Sequence, residues 1–160
     1  MDCTIGFTLN GKKVCVTTDP IRRLIDVLRD DFGLKGVKEG CSEGECGACS
    51  ILFNGKMVTS CIIPVGAADG QDIMTIEGVS ATERGQVIVQ AFADGGAVQC
   101  GYCIPGMVIA AYYLLSNNPN PTEEEIRLGI SGNICRCTGY DLIVESIKLA
   151  AERGGKLWKK

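Results

Sequence analysis

The chain has 160 residues, of which 46% are hydrophobic and 22% are charged, a composition typical of a globular protein. Its net charge is −3 and it has no basic block, which argues against a nucleic-acid partner. It contains ten cysteines and no histidine, so catalysis by a histidine acid or base is excluded within the chain.

The most apolar run, 104–115, contains Pro105 and is too short to span a bilayer, which takes about 20 residues. The first residues form neither a basic nor an apolar segment, so we expect no signal peptide and no membrane span. Cysteines that stay reduced in the cytoplasm are available to bind metal. We therefore expect a cytoplasmic protein whose cysteines bind metal rather than form disulfides.

The N-terminal segment predicts a β-hairpin. Asn10-Gly11 favours a two-residue turn between two alternating runs, which pair symmetrically about it. In that register Cys3 falls on the apolar face and Cys15 on the polar face. We therefore expect Cys3 to be buried, Cys15 to be exposed, and no disulfide between them.

A helix and three more strands are predicted next. Asp19 is placed as the helix N-cap with Pro20 at the first position, and Gly33 is placed at the end. The apolar residues of this segment have helical spacing: Ile21, Leu24, Ile25 and Leu28. Strands are expected at 49–53, 57–63 and 72–76, with a turn at Asn54-Gly55. The result is a small mixed sheet with one helix packed on it.

From Gly78 onwards the pattern becomes helical, with helices expected at 84–94, 105–116, 122–130 and 140–153. Thr122 and Glu125 form a capping box at the start of the third. The run 107–115 is apolar all round, which indicates a central helix or a face buried against a partner. We predict an α+β fold with two domains, 1–78 and 79–160.

The first cysteine set has the spacing C-x4-C-x2-C and a distant fourth member: Cys41, Cys46, Cys49 and Cys61. This is the spacing of plant-type 2Fe–2S ferredoxins. Gly40, Gly44 and Gly47 lie among these cysteines and would let backbone N–H groups approach the sulfurs. Zinc also takes four cysteines, but its sites usually show two short pairs. We therefore expect a 2Fe–2S cluster here.

The second cysteine set combines C-x2-C with C-x-C: Cys100, Cys103, Cys135 and Cys137. The spacing alone fits a zinc site and an iron–sulfur cluster equally well. Each pair precedes a predicted helix, with Pro105 in the first turn of one and a capping box from Thr138 to Asp141 opening the other. Two helix N-termini would favour an anionic cluster, so the context favours iron–sulfur. Arg136 could offset cluster charge or simply face solvent.

Three motifs resemble the iron–sulfur subunit of molybdenum hydroxylases, the xanthine dehydrogenase and aldehyde oxidoreductase family. They are GCSEGECGAC at 40–49, VQCGYCIPGM at 98–107 and GNICRCTGY at 132–140. The resemblance covers nearly the whole chain. One departure is Ile104, where the family usually carries threonine, so a polar contact at that position is in doubt.

The resemblance implies a β-grasp, ferredoxin-like domain followed by a four-helix domain, each with one 2Fe–2S cluster held by four of the eight cysteines. It implies a large partner subunit with a molybdopterin-type molybdenum cofactor, which Gln99 is expected to contact. It also implies a medium subunit with FAD. Electrons would pass from molybdenum through both clusters to the flavin. The alternatives are a free-standing two-cluster ferredoxin and a zinc-stabilised binding module.

Overall fold

The computed structural model describes residues 1–159, which fold into a five-stranded mixed sheet followed by a group of helices. The strands are β1 Cys3–Leu9, β2 Lys12–Thr18, β3 Ser50–Phe53, β4 Lys56–Thr59 and β5 Asp72–Met74. The helices are α1 Leu24–Asp26, α2 Ile76–Ser80, α3 Glu83–Asp94, α4 Ile104–Asn117, α5 Glu123–Gly129 and α6 Asp141–Gly154. The α+β fold class is confirmed. Within the described residues no helix has the length and apolar character needed to cross a membrane.

The sheet has the order β2-β1-β5-β3-β4, and only the central β1–β5 pair is parallel. The β1–β2 register is the predicted one, with Ile5 opposite Val16 and Leu9 opposite Lys12. Asn10 and Gly11 both have positive φ, as the tight turn requires. Cys15 is exposed as expected. Cys3 is exposed too, so its predicted burial was wrong: it begins an edge hairpin, beyond the part of β1 that the core covers.

The first helix begins later than predicted. Asp19 accepts a hydrogen bond from the Ile21 N–H (3.0 Å) and closes a tight turn instead of capping a helix. Ile21 is 77% exposed, so its place on the apolar face was also wrong. Arg23 is extended and bridges to Pro64, and α1 begins only at Leu24. Pairing of this segment with a distant strand-like segment outweighs the local helical pattern.

From α1 the helix continues as a π-helical turn, Val27–Asp31, and ends before Gly33, which has φ +68°. The return strand β4 is shorter than predicted because 3₁₀ turns follow it at Ser60–Ile62 and Val65–Ala68. A further 3₁₀ turn, Gly155–Trp158, follows α6.

Two buried apolar cores support these elements. One lies between the sheet and α1 and includes Phe7, Leu24 and Ile73. The other surrounds α4, whose residues from Met107 to Ala111 are all buried, as the apolar run predicted. Leu52 of β3 belongs to this second core, so the sheet and the helices share a packed boundary.

The Thr122–Glu125 capping box is present, and each of the four predicted helices matches a helix of the structure within a few residues. The short α2 was not predicted, because its few residues give no helical period.

Candidate functional site

Three members of the first cysteine set lie on the loop between α1 and β3, and the fourth, Cys61, lies in the 3₁₀ turn after β4. The β3–β4 hairpin returns the chain so that the Ser60 N–H and hydroxyl both donate to the carbonyl of Cys49, at 3.3 and 2.8 Å. Cys49 and Cys61 are buried, whereas Cys41 and Cys46 are partly exposed. The hairpin, which turns at Asn54-Gly55, thus brings the distant cysteine to the loop.

The loop directs backbone N–H groups at the Cys41 sulfur. The N–H groups of Glu43, Glu45 and Cys46 each lie 3.4 Å from Cys41 Sγ. These donors lower the pKa of Cys41 to about 6 and so favour the thiolate that metals bind. Gly44, with φ +81°, permits the tight turn among them. The loop therefore fits an anionic cluster.

At the buried end of the first set the surroundings disfavour the thiolate, in contrast to those of Cys41. Burial, followed by contact with the Cys49 thiol, raises the pKa of Cys61 to about 11. Two thiolates side by side in a buried place need a bound cation to offset their charge. The chemistry of the donor set therefore fits iron at this end of the loop as well.

The second cysteine set lies where two helices begin. Cys103 is the N-cap residue of α4 and Pro105 occupies its first turn, as predicted. Cys135 and Cys137 lie on the loop before α6. Cys135 is 8% exposed, whereas Cys100 and Cys137 are exposed at the surface. A cavity of about 220 Å³ is lined by all four of these cysteines, so there is room for a group that they would share.

Thr138 does not form the predicted capping box at α6. The N-cap residue is Tyr140, in a left-handed conformation without a side-chain cap. The Thr138 hydroxyl instead donates to Cys135 Sγ at 3.1 Å, and the Cys135 N–H donates to the Tyr140 hydroxyl at 2.9 Å. Burial acts to raise the pKa of Cys135, but hydrogen bonds from Thr138, from the Cys137 N–H and from the Cys103 thiol together outweigh it, and the pKa is lowered.

The thiols in both sets lie in pairs. Burial and then the neighbouring Cys135 thiol raise the pKa of Cys103 to about 12, and the Cys100 thiol raises that of Cys137. Among residues 1–159, no three or more Cys, Asp, Glu or His side chains are grouped as a site for a single metal ion. In a 2Fe–2S cluster two irons share the four thiolates, so paired thiols fit that group.

The outer rim of the second set is exposed and apolar. Val98, Tyr102 and Ile134 are 46%, 50% and 57% exposed. Gln99 and Arg136 are exposed as well, so Arg136 faces solvent. Clustered exposed apolar side chains are typical of a surface that another protein covers.

The two cysteine loops contact each other directly. The Ile134 N–H donates to the carbonyl of Cys46 at 2.9 Å. Cys46 belongs to the first set, and Ile134 directly precedes Cys135 of the second. The Tyr102 hydroxyl donates to the carbonyl of Glu39 at 2.6 Å. Cys46 also lines the cavity of the second set. The two candidate sites are therefore adjacent.

Two family models cover most of the chain. A 2Fe-2S iron-sulfur cluster binding domain matches residues 7–73, and a [2Fe-2S] binding domain matches residues 75–148. Relatives that match nearly the whole chain include the iron–sulfur subunits of a nicotinate dehydrogenase and of a xanthine dehydrogenase. The chain belongs to the iron–sulfur subunits of the molybdenum hydroxylase family. It therefore holds two 2Fe–2S clusters, and the zinc alternative is wrong.

The relatives of this iron–sulfur subunit match it along nearly its full length. It is 53% identical over 150 residues to the nicotinate dehydrogenase small FeS subunit of Eubacterium barkeri, covering 94% of this chain and 96% of that one. It is 42% identical over 146 residues to the xanthine dehydrogenase iron-sulfur-binding subunit of Escherichia coli O157:H7, covering 90% and 91%.

The solved structures agree with the sequence relatives. A chain of quinoline 2-oxidoreductase from Pseudomonas putida superposes with a TM-score of 0.90 at 40% identity, covering 96% of this chain and 98% of that chain. The aldehyde oxidoreductase of Desulfovibrio desulfuricans superposes with a TM-score of 0.88 at 36% identity. There the match covers 98% of this chain but 18% of the longer one.

Some features around the sites were not predicted from the sequence. Thr138 was assigned to a helix cap rather than to the Cys135 sulfur, although its position three residues after a candidate ligand is a usable signal. Tyr102 is half exposed and its hydroxyl links the two loops, which the sequence did not indicate. Asn133 is buried between the loops, and no motif indicated its role.

Proposed function

We propose that this iron–sulfur subunit relays electrons between a molybdenum site and a flavin, each on a partner subunit. In this proposal Cys41, Cys46, Cys49 and Cys61 hold the first cluster, and Cys100, Cys103, Cys135 and Cys137 hold the second. The protein performs no bond-making chemistry. It holds the clusters, tunes their potentials and closes the distance between the other two cofactors.

The observation that carries the proposal is the hydrogen bond from the Ile134 N–H to the Cys46 carbonyl. It gives a route of one hydrogen bond and a few covalent bonds between the proposed ligands Cys46 and Cys135. The second site is open to solvent on its other side, at Cys100 and Cys137. An electron that enters at this open rim would therefore reach the first cluster through the protein.

We place the large, molybdopterin-binding subunit on the apolar rim, where exposed Gln99 would contact the pterin. The medium, FAD-binding subunit would lie nearer the first cluster, where Ile62, beside Cys61, is 59% exposed. We also propose a cytoplasmic location. It is supported by the ten cysteines, all of which lie within residues 1–159 and are free of disulfides.

The test is anaerobic purification of the chain from its native source, followed by metal, flavin and subunit analysis. We expect about four irons per chain, two per cluster. We also expect subunits that stay bound at high salt and carry molybdenum and FAD. Reduction by the complex's substrate should develop both cluster signals in electron paramagnetic resonance (EPR). A lone monomer with only iron and sulfide would favour the free-standing ferredoxin and overturn the relay between partners.

A further inference from the structure

The loops that carry the two cysteine sets are joined at one point by the side chain of Asn133. This side chain is 2% exposed, and its Nδ2 donates to the carbonyl of Gly47 at 3.0 Å and to Ser50 Oγ at 3.3 Å. Gly47 lies between two cysteines of the first set, and Asn133 lies two residues before Cys135 of the second. One amide therefore bridges both loops in the interior.

The bridge requires a donor. The Ser50 hydroxyl already gives its proton to the Gly47 carbonyl at 2.7 Å, so both atoms that face the Asn133 amide can only accept. The Oδ1 atom of Asn133 is buried and has no hydrogen-bond partner among the described residues. A buried acceptor without a partner costs free energy, so the Asn133 amide stabilises the contact between the two loops only through its Nδ2 donor.

The backbone segments at this contact lie too close together to admit an added side chain. A Cβ atom built on Gly47 would overlap the Gly132 carbonyl and lie 2.6 Å from Asn133 Nδ2. One built on Gly106, in the first turn of α4, would overlap the Gly47 carbonyl and lie 3.1 Å from the same nitrogen. Three backbone segments, at Gly47, Gly106 and Gly132, thus meet at the Asn133 amide. We call Gly47, Gly106 and Asn133 the junction.

We propose that Asn133 is a positioning residue that fixes the separation and relative orientation of the two clusters, and so their electronic coupling. The bond from the Ile134 N–H to the Cys46 carbonyl joins the residues directly next to Asn133 and Gly47 in the chain. In this proposal the junction holds that bond in place. Loss of the Nδ2 donor would let the loop before α6 move away from the first loop. The proposal rests on the two-cluster relay proposed above, but it concerns this chain alone.

The test is Asn133→Ala in the anaerobic holoprotein, with whatever subunits copurify. The magnetic interaction between two reduced clusters falls with the cube of their distance and splits their EPR lines at low temperature. We expect unchanged iron and sulfide, both signals present, and a reduced or lost splitting. Hydrogen exchange in peptides that contain Ile134 should be faster. Asn120→Ala, an exposed asparagine in a turn, is the control and should change neither readout.

Asn133→Leu separates hydrogen bonding from volume. Leucine keeps roughly the size of the amide but has no donor for the Gly47 carbonyl, so the splitting should fall about as far as in the alanine variant. Unchanged splitting and exchange in Asn133→Ala would overturn the proposal. If that variant does not retain iron, Asn133→Leu replaces it, and unchanged splitting there overturns the proposal instead. Missing partner subunits with normal splitting in the parent protein would reject only the relay.

Discussion

Substitution of Gly47 by alanine tests whether the two loops are held in direct contact. Gly47 has φ +70°, a conformation that costs other residues roughly 1–2 kcal/mol. The added methyl would also overlap the Gly132 carbonyl, a backbone atom that cannot rotate away. Overpacking of this kind costs about 1–3 kcal/mol, so Gly47→Ala should lower the free energy of unfolding by about 2–5 kcal/mol.

Gly55→Ala is the matched control. Gly55 has φ +74°, yet a Cβ there meets nothing within 4 Å, so only the conformational cost of about 1–2 kcal/mol applies. The assay is thermal unfolding of the anaerobic holoproteins by circular dichroism, where each kcal/mol shifts the Tm by about 2–4 °C at this chain length. Equal losses in the two variants would refute the close contact between the loops.

Three further substitutions test individual features. Cys46→Ser should remove one of the two reduced EPR signals and leave the other, and loss of both together would contradict independent sites. Thr138→Val removes a hydrogen bond to the Cys135 sulfur, which stabilises the more negative reduced cluster, so redox titration should show a lower potential for that cluster alone. An unchanged potential would reject that contact. Thr122→Ala breaks the capping box with Glu125 and should cost about 1 kcal/mol in chemical unfolding without changing either cluster signal; a shifted signal would contradict a local effect.

The parts of the fold that were predictable are those that local chemistry decides. The turn at Asn10-Gly11 admits one register, because a slip by one residue would move the apolar side chains of β1 to the outer face. The helix after Thr122 carries its own start signal in Glu125, and both features are present. The spacing of the first cysteine set, which indicated a 2Fe–2S cluster, and the three motifs that indicated the family are local features as well.

Two features could not be predicted because they depend on contact with a distant part of the chain. The helical pattern from Ile21 to Leu28 is genuine, but pairing of Arg23 with Pro64 delays the helix start. Thr138 is a different case, because it has the sequence of a cap but its hydroxyl binds the nearby Cys135 sulfur instead. No periodicity could reveal that Asn133 reaches Gly47, because only the folded chain brings these loops together. The division at 78/79 stays a prediction.

The place of Leu52 bears on how such proteins can be recombined. It belongs to a sheet strand, yet it is buried among the helices that surround α4, with Met57 and Met74 packed beside it. A chain cut between the two halves would expose apolar surface on each fragment. Chimeras that exchange one half with a homologue would have to preserve the packing at this shared boundary. We therefore expect the two halves to behave as one unit in evolution and in engineering, and not as independently exchangeable domains.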